Sequence, residues 1–396
     1  MADAARDWAH SGVLPLTGHR TGPPLMPPGH AATWAARMAD HIAAATGDDR
    51  VPVRIDGPRL LAERAALTGR TRQGATSVGG GCRLHRTRDG WAAVSVARPD
   101  DPALWSALIG HELDERFPAR LAAWLAVHPG SELDRRAEMF GLAGSAVRVS
   151  PPSGAAMRLP RPRSAKGMLV VDFSALWAGP LCANLLGLAG AEVVKVETPD
   201  RPDGARRGNA AFYDLLHHGH RSVVLDPADP VGRSALHALV RRADIVIESS
   251  RPRALARFGL DAAAEVERGC VWVSITAAGR ESQRVGFGDD VAAGAGLVVW
   301  DGQGLPVFCG DAIADPLTGL TAAALALSEP EDGGGALWDV AMADVVAATL
   351  TDDPTESVPP ENLVVEVPTA RRPTGRASAI GADTRAVLAR MGIPAA

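Results

Sequence analysis

The sequence predicts an α/β fold in which a doubly wound parallel sheet, a Rossmann-like large domain, accompanies a second, smaller α+β domain. Five short runs between residues 168 and 275 are mainly apolar, with Val, Ile and Leu at their centres, and alternate with helical segments. Strands of that kind are typical of parallel sheets covered by helices on both faces. Residues 51–150 show shorter elements instead, and a chain of 396 residues is too long for one ordinary hydrophobic core.

The large domain is predicted from its strands and from the turns at their carboxyl ends. Strands are expected at residues 168–173, 191–197, 222–226, 244–248 and 270–275, with helices at 181–188 and 230–242. Ligands bind such sheets at the carboxyl ends of the strands. The first of these turns lacks the three-glycine dinucleotide fingerprint, and no phosphate loop with Gly-Lys-Ser/Thr is present in the sequence. The sequence therefore disfavours a classical NAD or ATP site.

The smaller α+β domain is predicted at residues 51–150. It contains a helix at 58–67, a hairpin at 82–97 that turns at Asp89-Gly90, and helices at 102–109, 121–127 and 131–140. A run of three glycines, Gly79 to Gly81, precedes the hairpin. Two interpretations stay open for this run: a plain turn, or a loop whose free amides close over a site.

The remaining parts of the chain are assigned by comparison with these two domains. Residues 1–50 repeat the order of parts of residues 295–327, with a turn segment followed by an Ala-rich helix capped near Thr33. We interpret them as a degenerate copy of that later segment that lacks its carboxylate, with chance similarity as the alternative. Residues 151–166 are predicted to be a linker, 167–350 the large domain and 351–396 a C-terminal segment.

Composition restricts the classes of partner. Acidic residues outnumber basic ones, 46 to 41, which gives a net charge of −5, so a nucleic acid is not an expected partner. No apolar run approaches the roughly 20 residues that span a bilayer. The first ten residues have no basic-then-apolar signal character. We therefore expect no membrane association and a cytoplasmic location.

The four cysteines, Cys82, Cys182, Cys270 and Cys309, have no paired spacing. Neither a disulfide framework nor a zinc site is predicted, and no metal ligand is assigned. We interpret all four as reduced core residues. Cys309 has a second interpretation as a nucleophile because it directly precedes the acidic segment 310–319, although no histidine lies near it in sequence to activate it.

The segment 310–319, Gly-Asp-Ala-Ile-Ala-Asp-Pro-Leu-Thr-Gly, is the predicted centre of the chemistry. Asp315 directly before Pro316 predicts a helix N-cap, which places a carboxylate at the positive end of a helix. The small residues of 286–296 permit close approach of a backbone or a ligand. Asp315 is then either a cap alone or a poorly hydrated carboxylate that acts as nucleophile or base. Asp311 is its rival, and local chemistry does not choose between the two.

Several motifs occur in a fixed order between residues 166 and 345. They are 170–180 (Val-Val-Asp-Phe-Ser-Ala-Leu-Trp-Ala-Gly-Pro), 190–197 (Gly-Ala-Glu-Val-Val-Lys-Val-Glu), 221–226, 243–252 with 257–260, 273–276 and 314–319 (Ala-Asp-Pro-Leu-Thr-Gly). In order and spacing they resemble the class III CoA-transferases of the CaiB/BaiF type, a family that includes formyl-CoA transferase and α-methylacyl-CoA racemase. Residues 380–392 resemble the C-terminal segment of the same family.

The resemblance implies a reaction and the residues for it. Asp315 matches the family's catalytic aspartate, which attacks an acyl-CoA thioester and forms an aspartyl anhydride and then an aspartyl-CoA thioester, before an incoming carboxylic acid reverses the steps. CoA and acyl-CoA are thus substrates, and no permanently bound cofactor is expected. A loop that excludes water is also expected, with Gly79 to Gly81 as the candidate. The implied CoA contacts are Leu176, Trp177, Thr198, Leu225, Ser249, Ser250, Arg251, Arg257, Phe258 and Thr276.

The chain also departs from the family pattern. The small domain normally lies inside the large one, whereas here it precedes it, so the order looks rearranged; a homodimer is expected, but an interlocked one does not follow. The racemases have a histidine directly before the aspartate that corresponds to Asp290, and this chain has Asp289 there. Because an ordinary aspartic acid is a poor proton donor at neutral pH, this argues against racemisation. An acyl-CoA racemase or isomerase, and a non-catalytic CoA-binding subunit, are the alternative functions.

Overall fold

The computed structural model describes residues 2–47, 52–149, 158–250, 253–330, 332–351 and 357–394. The chain begins with helix α1, Ala2–His10, a 3₁₀ turn at Leu14–Leu16, and helix α2, Ala31–Ala45. α2 starts before the predicted cap at Thr33, with no capping side chain. The Thr33 hydroxyl instead donates to Asp7 Oδ2 at 2.5 Å. The predicted cap is therefore wrong, because this side chain joins α2 to α1.

The α+β pattern predicted for residues 51–150 is confirmed, and the bounds of these residues as a separate domain stay a prediction. Its elements are α3 Gly57–Leu60, α4 Glu63–Thr68, β1 Cys82–Arg86, β2 Trp91–Ser95, α5 Asp101–Ile109, α6 Phe117–Val127, α7 Gly130–Phe140 and β3 Gly144–Ala146. The strands form an antiparallel sheet in the order β1-β2-β3, and the hairpin pairs Cys82 with Ser95. The single helix expected at 58–67 is instead two short helices, because the chain turns at Leu61 and Ala62.

The large domain contains the predicted parallel strands. Its elements begin with β4 Leu169–Asp172, α8 Ala178–Leu188, β5 Glu192–Glu197, a 3₁₀ turn Gly204–Arg207, α9 Ala210–His217, β6 Arg221–Val224, α10 Pro230–Val240, β7 Ile245–Glu248, α11 Arg253–Ala256, α12 Ala262–Glu267 and β8 Val271–Thr276. All five predicted strands are confirmed. Val170 packs into one buried cluster and Val171 into another, since successive side chains of a strand point to opposite faces. The sheet is thus covered on both sides.

The end of the large domain adds three strands that the sequence did not predict. The remaining elements are α13 Gly288–Ala295, β9 Val298–Trp300, β10 Pro306–Phe308, α14 Ala314–Ala326, β11 Ala336–Ala341, α15 Met342–Ala347 and α16 Thr384–Arg390. β9 and β10 pair with each other, and β11 pairs with β8 in parallel. The large sheet therefore has the order β11-β8-β7-β4-β5-β6. β11 is an edge strand, and its exposed Asp339 interrupts the apolar residues on either side, so it lacks a continuous apolar run.

Helix α14 lies at the centre of the molecule. Gly319 lets it approach α8, since a Cβ at this position would lie 2.6 Å from the carbonyl oxygen of Ala178. On another side it contacts α2, where Trp34 Nε1 donates to Thr321 Oγ1 at 3.0 Å and His41 Nε2 lies 2.9 Å from Ser328 Oγ. Both pairs are 287 residues apart in the chain, so the two helices run parallel. The internal duplication stays a prediction.

The C-terminal segment crosses the N-terminal part before it reaches the large sheet. The Arg371 guanidinium pairs with both carboxylate oxygens of Glu63, at 2.8 and 2.9 Å, and donates to Asn184 Oδ1 at 2.9 Å. The segment ends in α16, whose Thr384 accepts the amide of Val224 at the edge of the sheet. Residues 151–157 of the predicted linker lie outside the described ranges. No helix within those ranges has the length and apolarity needed to cross a bilayer.

Candidate active site

The segment 310–319 makes a tight turn and then begins α14. Gly310 has a φ of +66° and Ala312 a φ of 45°, so the backbone is left-handed at both positions, a conformation that a residue with a side chain adopts rarely. α14 begins at Ala314 with Ile313 as N-cap. Asp315 is therefore in the first helical turn, and its prediction as the N-cap is wrong. The physical reason is that its carboxylate binds another element instead.

That other element is the start of α13. Asp315 Oδ2 accepts the amide of Gly288 at 3.1 Å, and a Cβ at Gly288 would lie 2.4 Å from the same oxygen. The prediction that the small residues of 286–296 permit close approach is confirmed at this position, because only glycine fits against the carboxylate. Asp315 Oδ1 accepts no hydrogen bond from any residue that the structure describes.

Burial sets the protonation of Asp315. The side chain is half-buried, and loss of hydration raises its pKa to about 7, with the negative charges of Asp289 and Asp311 acting in the same direction. The positive charge of Arg64 and the amide of Gly288 oppose this rise. Near neutral pH the carboxyl is therefore present both as a carboxylate and as an acid.

Asp311 and Asp289 flank Asp315 but are held differently. Asp311 is fully buried, and Arg64 donates to both of its oxygens, at 2.8 Å from Nε and 2.5 Å from Nη2. Asp289 Oδ1 accepts the amide of Ala312 at 2.8 Å, and burial raises its pKa to about 6. Of the two rivals from the sequence, Asp311 has both oxygens in an ion pair, whereas Asp315 has one oxygen free.

Asp290, the neighbour of Asp289, faces away from this cluster. Its Oδ1 accepts from Ser95 Oγ at 2.6 Å and from the amide of Phe287 at 3.0 Å, which ties α13 to strand β2. Burial raises its pKa to about 7. Asp290 thus joins the small domain to the wall of the site.

Arg64 is a site residue that the sequence analysis missed. It comes from α4, 247 residues before Asp311, and its guanidinium carbon lies 4.6 Å from the centre of the Trp177 ring. It therefore links the aspartate cluster to the loop after β4. No local pattern marks it, because an arginine in a short helix has the same sequence signature whether it faces solvent or a carboxylate.

The glycine run at 79–81 lies beside this ion pair. A Cβ at Gly79 would lie 3.4 Å from Arg64 Nη2 and 3.8 Å from Asp311 Oδ1. Gly80 has a φ of +80° and donates its amide to Ser77 at 2.8 Å, as in a turn. The run is therefore a turn next to the site, which is compatible with both interpretations of the sequence. Closure over a ligand stays a prediction.

The four cysteines are buried residues without disulfide bonds. All four are buried with free thiols, and burial raises the pKa of Cys309 to about 12, so its thiol stays protonated at neutral pH. The burial of Cys309 disfavours its interpretation as a nucleophile. Within the described ranges no group of three or more His, Cys, Asp or Glu side chains is suited to a metal ion.

Most of the predicted CoA contacts lie at or just after the carboxyl ends of neighbouring parallel strands, and Arg257 and Phe258 follow α11. Leu176 is 42 % exposed with a φ of 70°, and Trp177 is buried between Arg64 and an edge-on Phe212 ring. Leu225 is buried in the core, Arg257 is exposed, and Thr198, Ser249, Ser250, Phe258 and Thr276 are half-buried. Ser250 Oγ is buried without a partner in the described structure. Arg251 lies outside the described residues. CoA binding by this set stays a prediction.

Comparison with known proteins identifies the family. The model of CoA-transferase family III matches residues 166–379, which is more than half of the chain. The chain belongs to CoA-transferase family III. The predicted resemblance is therefore confirmed, and the match covers the parallel sheet, Arg371 and the segment that carries Asp315.

Curated relatives of this CoA-transferase family III chain share part of its length. Succinate--glutarate CoA-transferase from Agrobacterium fabrum is 30% identical over 210 residues, 47% of this chain and 52% of that protein. Formyl-CoA:oxalate CoA-transferase from Rhodopseudomonas palustris is 32% identical over 169 residues, 39% of each chain. The chain spans about half the length of the first relative and less of the second. A solved CAIB/BAIF family protein from Brucella suis is 27% identical with a TM-score of 0.43, over 47% of this chain and 55% of that one.

Proposed function

We propose that the chain is a CoA-transferase that moves CoA from an acyl-CoA to an acceptor carboxylic acid, with Asp315 as the covalent catalyst. The observation that carries this proposal is the state of Asp315. One oxygen is fixed by the Gly288 amide and the other accepts no hydrogen bond from the described residues, and burial raises its pKa to about 7. A poorly hydrated carboxylate with a free oxygen is suited to attack a carbonyl carbon.

The first half of the reaction moves CoA onto the enzyme. The free oxygen of Asp315 attacks the thioester carbonyl, the carbon–sulfur bond breaks, and CoA leaves as its thiolate. The product is a mixed anhydride between Asp315 and the donor acid. The thiolate then attacks the Asp315 carbonyl carbon, releases the donor as a carboxylate, and leaves an aspartyl-CoA thioester.

The second half repeats these steps with the acceptor. The acceptor carboxylate attacks the carbonyl carbon of the aspartyl-CoA thioester, which forms a new anhydride and frees the thiolate again. The thiolate attacks the acceptor's carbonyl carbon, and Asp315 leaves as a carboxylate. No proton is consumed, and each intermediate keeps the energy of an activated acyl group, so water must be excluded.

The surrounding residues support this chemistry. Arg64 lowers the pKa of Asp315 and thereby increases the fraction of the reactive carboxylate at neutral pH. The turn at Gly79 to Gly81 lies next to Arg64 and is the proposed lid against water. CoA is proposed to bind along the carboxyl ends of β4 to β8, through the predicted CoA contacts, and two copies of the chain are proposed to form a homodimer.

The test measures the transfer of CoA between acids by mass spectrometry, without isotope labels. Purified enzyme is incubated with a panel of acyl-CoAs and free acids, and new acyl-CoA masses are recorded. We expect new acyl-CoAs with the wild type and a loss of at least about a thousandfold with Asp315→Asn, which removes the nucleophile. Asp100→Asn is the control, because Asp100 precedes α5 and its side chain caps nothing. CoA transfer by Asp315→Asn at the wild-type rate would contradict the proposal.

Exchange of the α-proton of an acyl-CoA is a second candidate function, favoured by Asp289. The sequence argued against it because an ordinary aspartic acid holds no proton near neutral pH, but burial raises the pKa of Asp289 to about 6. Two carboxyl groups with raised pKa values are able to act as acid and base on one carbon. Deuterium incorporation from heavy water at the α-carbon, lost in Asp289→Asn and without CoA transfer, would favour this function over the first.

A further inference from the structure

The turn that joins β4 to α8 contains one of two strained residues near the aspartate cluster. Among the described residues, only Leu176 and Ala312 have a positive φ without being glycine, at 70° and 45°. Ala312 lies in the segment that carries Asp315, and Leu176 directly precedes Trp177, whose ring contacts Arg64. Strained residues of this kind cluster at functional sites and persist only where neighbouring groups hold them in place.

Hydrogen bonds to the backbone hold this turn, because Leu176 itself is 42 % exposed and its side chain packs little. The Leu176 amide donates to Asp203 Oδ1 at 3.1 Å, and the amide of the residue before it donates to Ser249 Oγ at 3.1 Å. The carbonyl oxygen of Ser174 accepts from Lys195 Nζ at 2.8 Å. Side chains that follow β5 and β7, or belong to β5, thus hold the turn from three sides.

Lys195 and Asp203 form a buried ion pair behind the turn. Lys195 Nζ lies 3.0 Å from Asp203 Oδ2, and the two residues are 2 % and 4 % exposed. Lys195 binds the Ser174 carbonyl directly and also holds the carboxylate that accepts the Leu176 amide. Asp203 is fixed further by its own amide, which donates to Glu197 Oε1 at 2.7 Å. One buried pair therefore contacts the turn at two places.

The other basic groups near Asp203 do not replace Lys195. His217 Nε2 lies 3.7 Å from Asp203 Oδ2, but burial lowers the pKa of His217 well below its usual value, so the ring is neutral at neutral pH. Arg206 is bound to Glu197, with 2.5 Å between Nη2 and Oε2. In the part of the chain that the structure describes, the Asp203 carboxylate therefore depends on Lys195 for its ion pair.

A lysine at this position departs from the general composition of the chain. Lys166 and Lys195 are the only lysines among 41 basic residues, and the rest are arginines. An ammonium is a compact charge with three donors, whereas a guanidinium is a larger planar fork. Lys195 Nζ has oxygen atoms in three directions, from Ser174, from Asp203 and, at 3.8 Å, from Asp172. The compact cation is therefore suited to this buried place, where an arginine is not.

We propose that Lys195 and Asp203 are positioning residues that hold the left-handed turn at Leu176 and so preform the part of the site that receives the acyl-CoA. The inference rests on the proposed CoA-transferase function, in which Leu176 and Trp177 are predicted CoA contacts. Both members of the pair are buried, so they act through the turn and not by contact with a ligand. Loss of the pair should therefore weaken the binding of acyl-CoA without changing the binding of the acceptor acid.

The first test asks whether the pair holds the turn. Hydrogen exchange of the Leu176 amide is measured in Lys195→Met, which keeps the aliphatic stem and removes the charge. We expect exchange about tenfold faster than in the wild type, because the carboxylate that accepts this amide loses its cation. Lys166→Met is the matched control, since this exposed lysine precedes the amino end of β4, opposite the turn. Its Leu176 amide should exchange as in the wild type.

A double-mutant cycle asks whether the pair opposes the strain at Leu176. Leu176→Gly removes that strain, because glycine adopts a positive φ freely. Without strain the turn needs less support, so we expect Lys195→Met to lower the folding equilibrium constant about tenfold less in the Leu176→Gly background than in the wild type. Urea denaturation of the two single variants and the double variant measures this coupling. Additive effects would overturn the inference.

The second test measures CoA transfer in Lys195→Met and Asp203→Asn. We expect the KM for the acyl-CoA to rise about fivefold, the contribution of one hydrogen bond, and the KM for the acceptor acid to stay unchanged. A role in stability alone would reduce the folded fraction, which lowers the apparent kcat and leaves both KM values unchanged, and that result would overturn the inference. Asp203→Asn keeps an oxygen acceptor in place, so it tests the idea even if Lys195→Met fails to fold.

The outcomes separate this inference from the proposed function. If the wild type transfers no CoA between acids, the CoA-transferase function fails, and the Kd for CoA, measured by calorimetry, replaces the KM in the second test. The exchange of the Leu176 amide and the cycle then still decide whether the pair holds the turn. If the wild type transfers CoA but both variants exchange this amide at the wild-type rate, the function stands and the inference is overturned.

Discussion

At the scale of single residues, the electrostatics of the site depend on the charges of three carboxylates and one arginine. Arg64 binds Asp311 directly and acts on Asp315 through space. Asp289 raises the pKa of Asp315 by its negative charge. In the proposed reaction the carboxylate is the reactive form of Asp315, so these neighbours would set the pH at which CoA transfer begins.

Asp289→Asn removes one of the negative charges beside Asp315. We expect the pKa of Asp315 to fall, so that the rise of kcat/KM with pH begins at a lower pH than in the wild type. The measurement is the pH profile of CoA transfer between pH 5 and 9. A profile that stays in place or moves to higher pH would contradict this account of the charges.

Arg64→Gln removes the positive charge and should have the opposite effect. The pKa of Asp315 then rises, the pH profile moves to higher pH, and the rate at pH 6 falls more than the rate at pH 9. Arg37→Gln is the control, because Arg37 also lies over a tryptophan ring, 5.6 Å from the centre of Trp34, but is not among the groups that shift Asp315. An equal loss of rate at every pH would mean that Arg64 only supports the fold.

At the scale of elements, the position of Asp315 depends on the packing of α14. Gly319 brings this helix against α8, and its Cβ position lies 2.6 Å from the Ala178 carbonyl oxygen and 3.0 Å from Leu181 Cβ. Backbone atoms do not move aside as side chains do, so an added methyl group must displace one helix from the other. The first turn of α14 carries Asp315 and would move with it.

Gly319→Ala should therefore destabilise the protein by about 1–3 kcal/mol, a typical cost of overpacking, although alanine favours a helix over glycine. The measurement is the midpoint of urea denaturation, compared between proteins with equal m-values. Gly302→Ala serves as the comparison, because nothing lies within 4 Å of a Cβ there. Equal stability of the two variants would mean that α14 and α8 have room to relax.

At the scale of the whole molecule, the site is assembled from distant parts of the chain. Arg64 reaches it from α4, and the neighbouring Glu63 is held by Arg371 of the C-terminal segment and buried at 1 % exposure. The same guanidinium contacts Asn184 of α8. This buried ion pair thus fixes three segments of the chain to one another and holds α4 beside the aspartates.

Arg371→Met leaves the buried Glu63 carboxylate without its cation. Removal of one partner of a buried pair costs about 3–5 kcal/mol, so we expect a large fall in the free energy of unfolding. The loss should be smaller in Arg371→Met with Glu63→Leu, because no unpaired charge remains. Urea denaturation of the single and double variants measures both, and a single variant as stable as the wild type would contradict this role of the segment.

The sequence predicted the secondary structure correctly where the pattern involved only neighbouring residues. The five central strands followed from mainly apolar runs, and the hairpin followed from Asp89-Gly90. The edge strand β11 was not predicted, because Asp339 interrupts its apolar residues. Asp315 was a candidate together with Asp311 on local sequence, and the family resemblance selected it; its predicted capping role was wrong because its partner, Gly288, is in another helix. Arg64 was missed for the same reason, since only tertiary packing brings it to Asp311.

The central claim is that the Asp315 carboxylate becomes esterified to the sulfur of CoA during turnover. The most direct measurement is peptide mass spectrometry of enzyme quenched during reaction with an acyl-CoA and treated with hydroxylamine or borohydride to mark an activated carboxyl group. The account predicts a modification of the peptide that contains residues 310–319, at Asp315 itself, and none at Asp289 or Asp311. A modified Asp311, or turnover without any modified aspartate in this peptide, would contradict it.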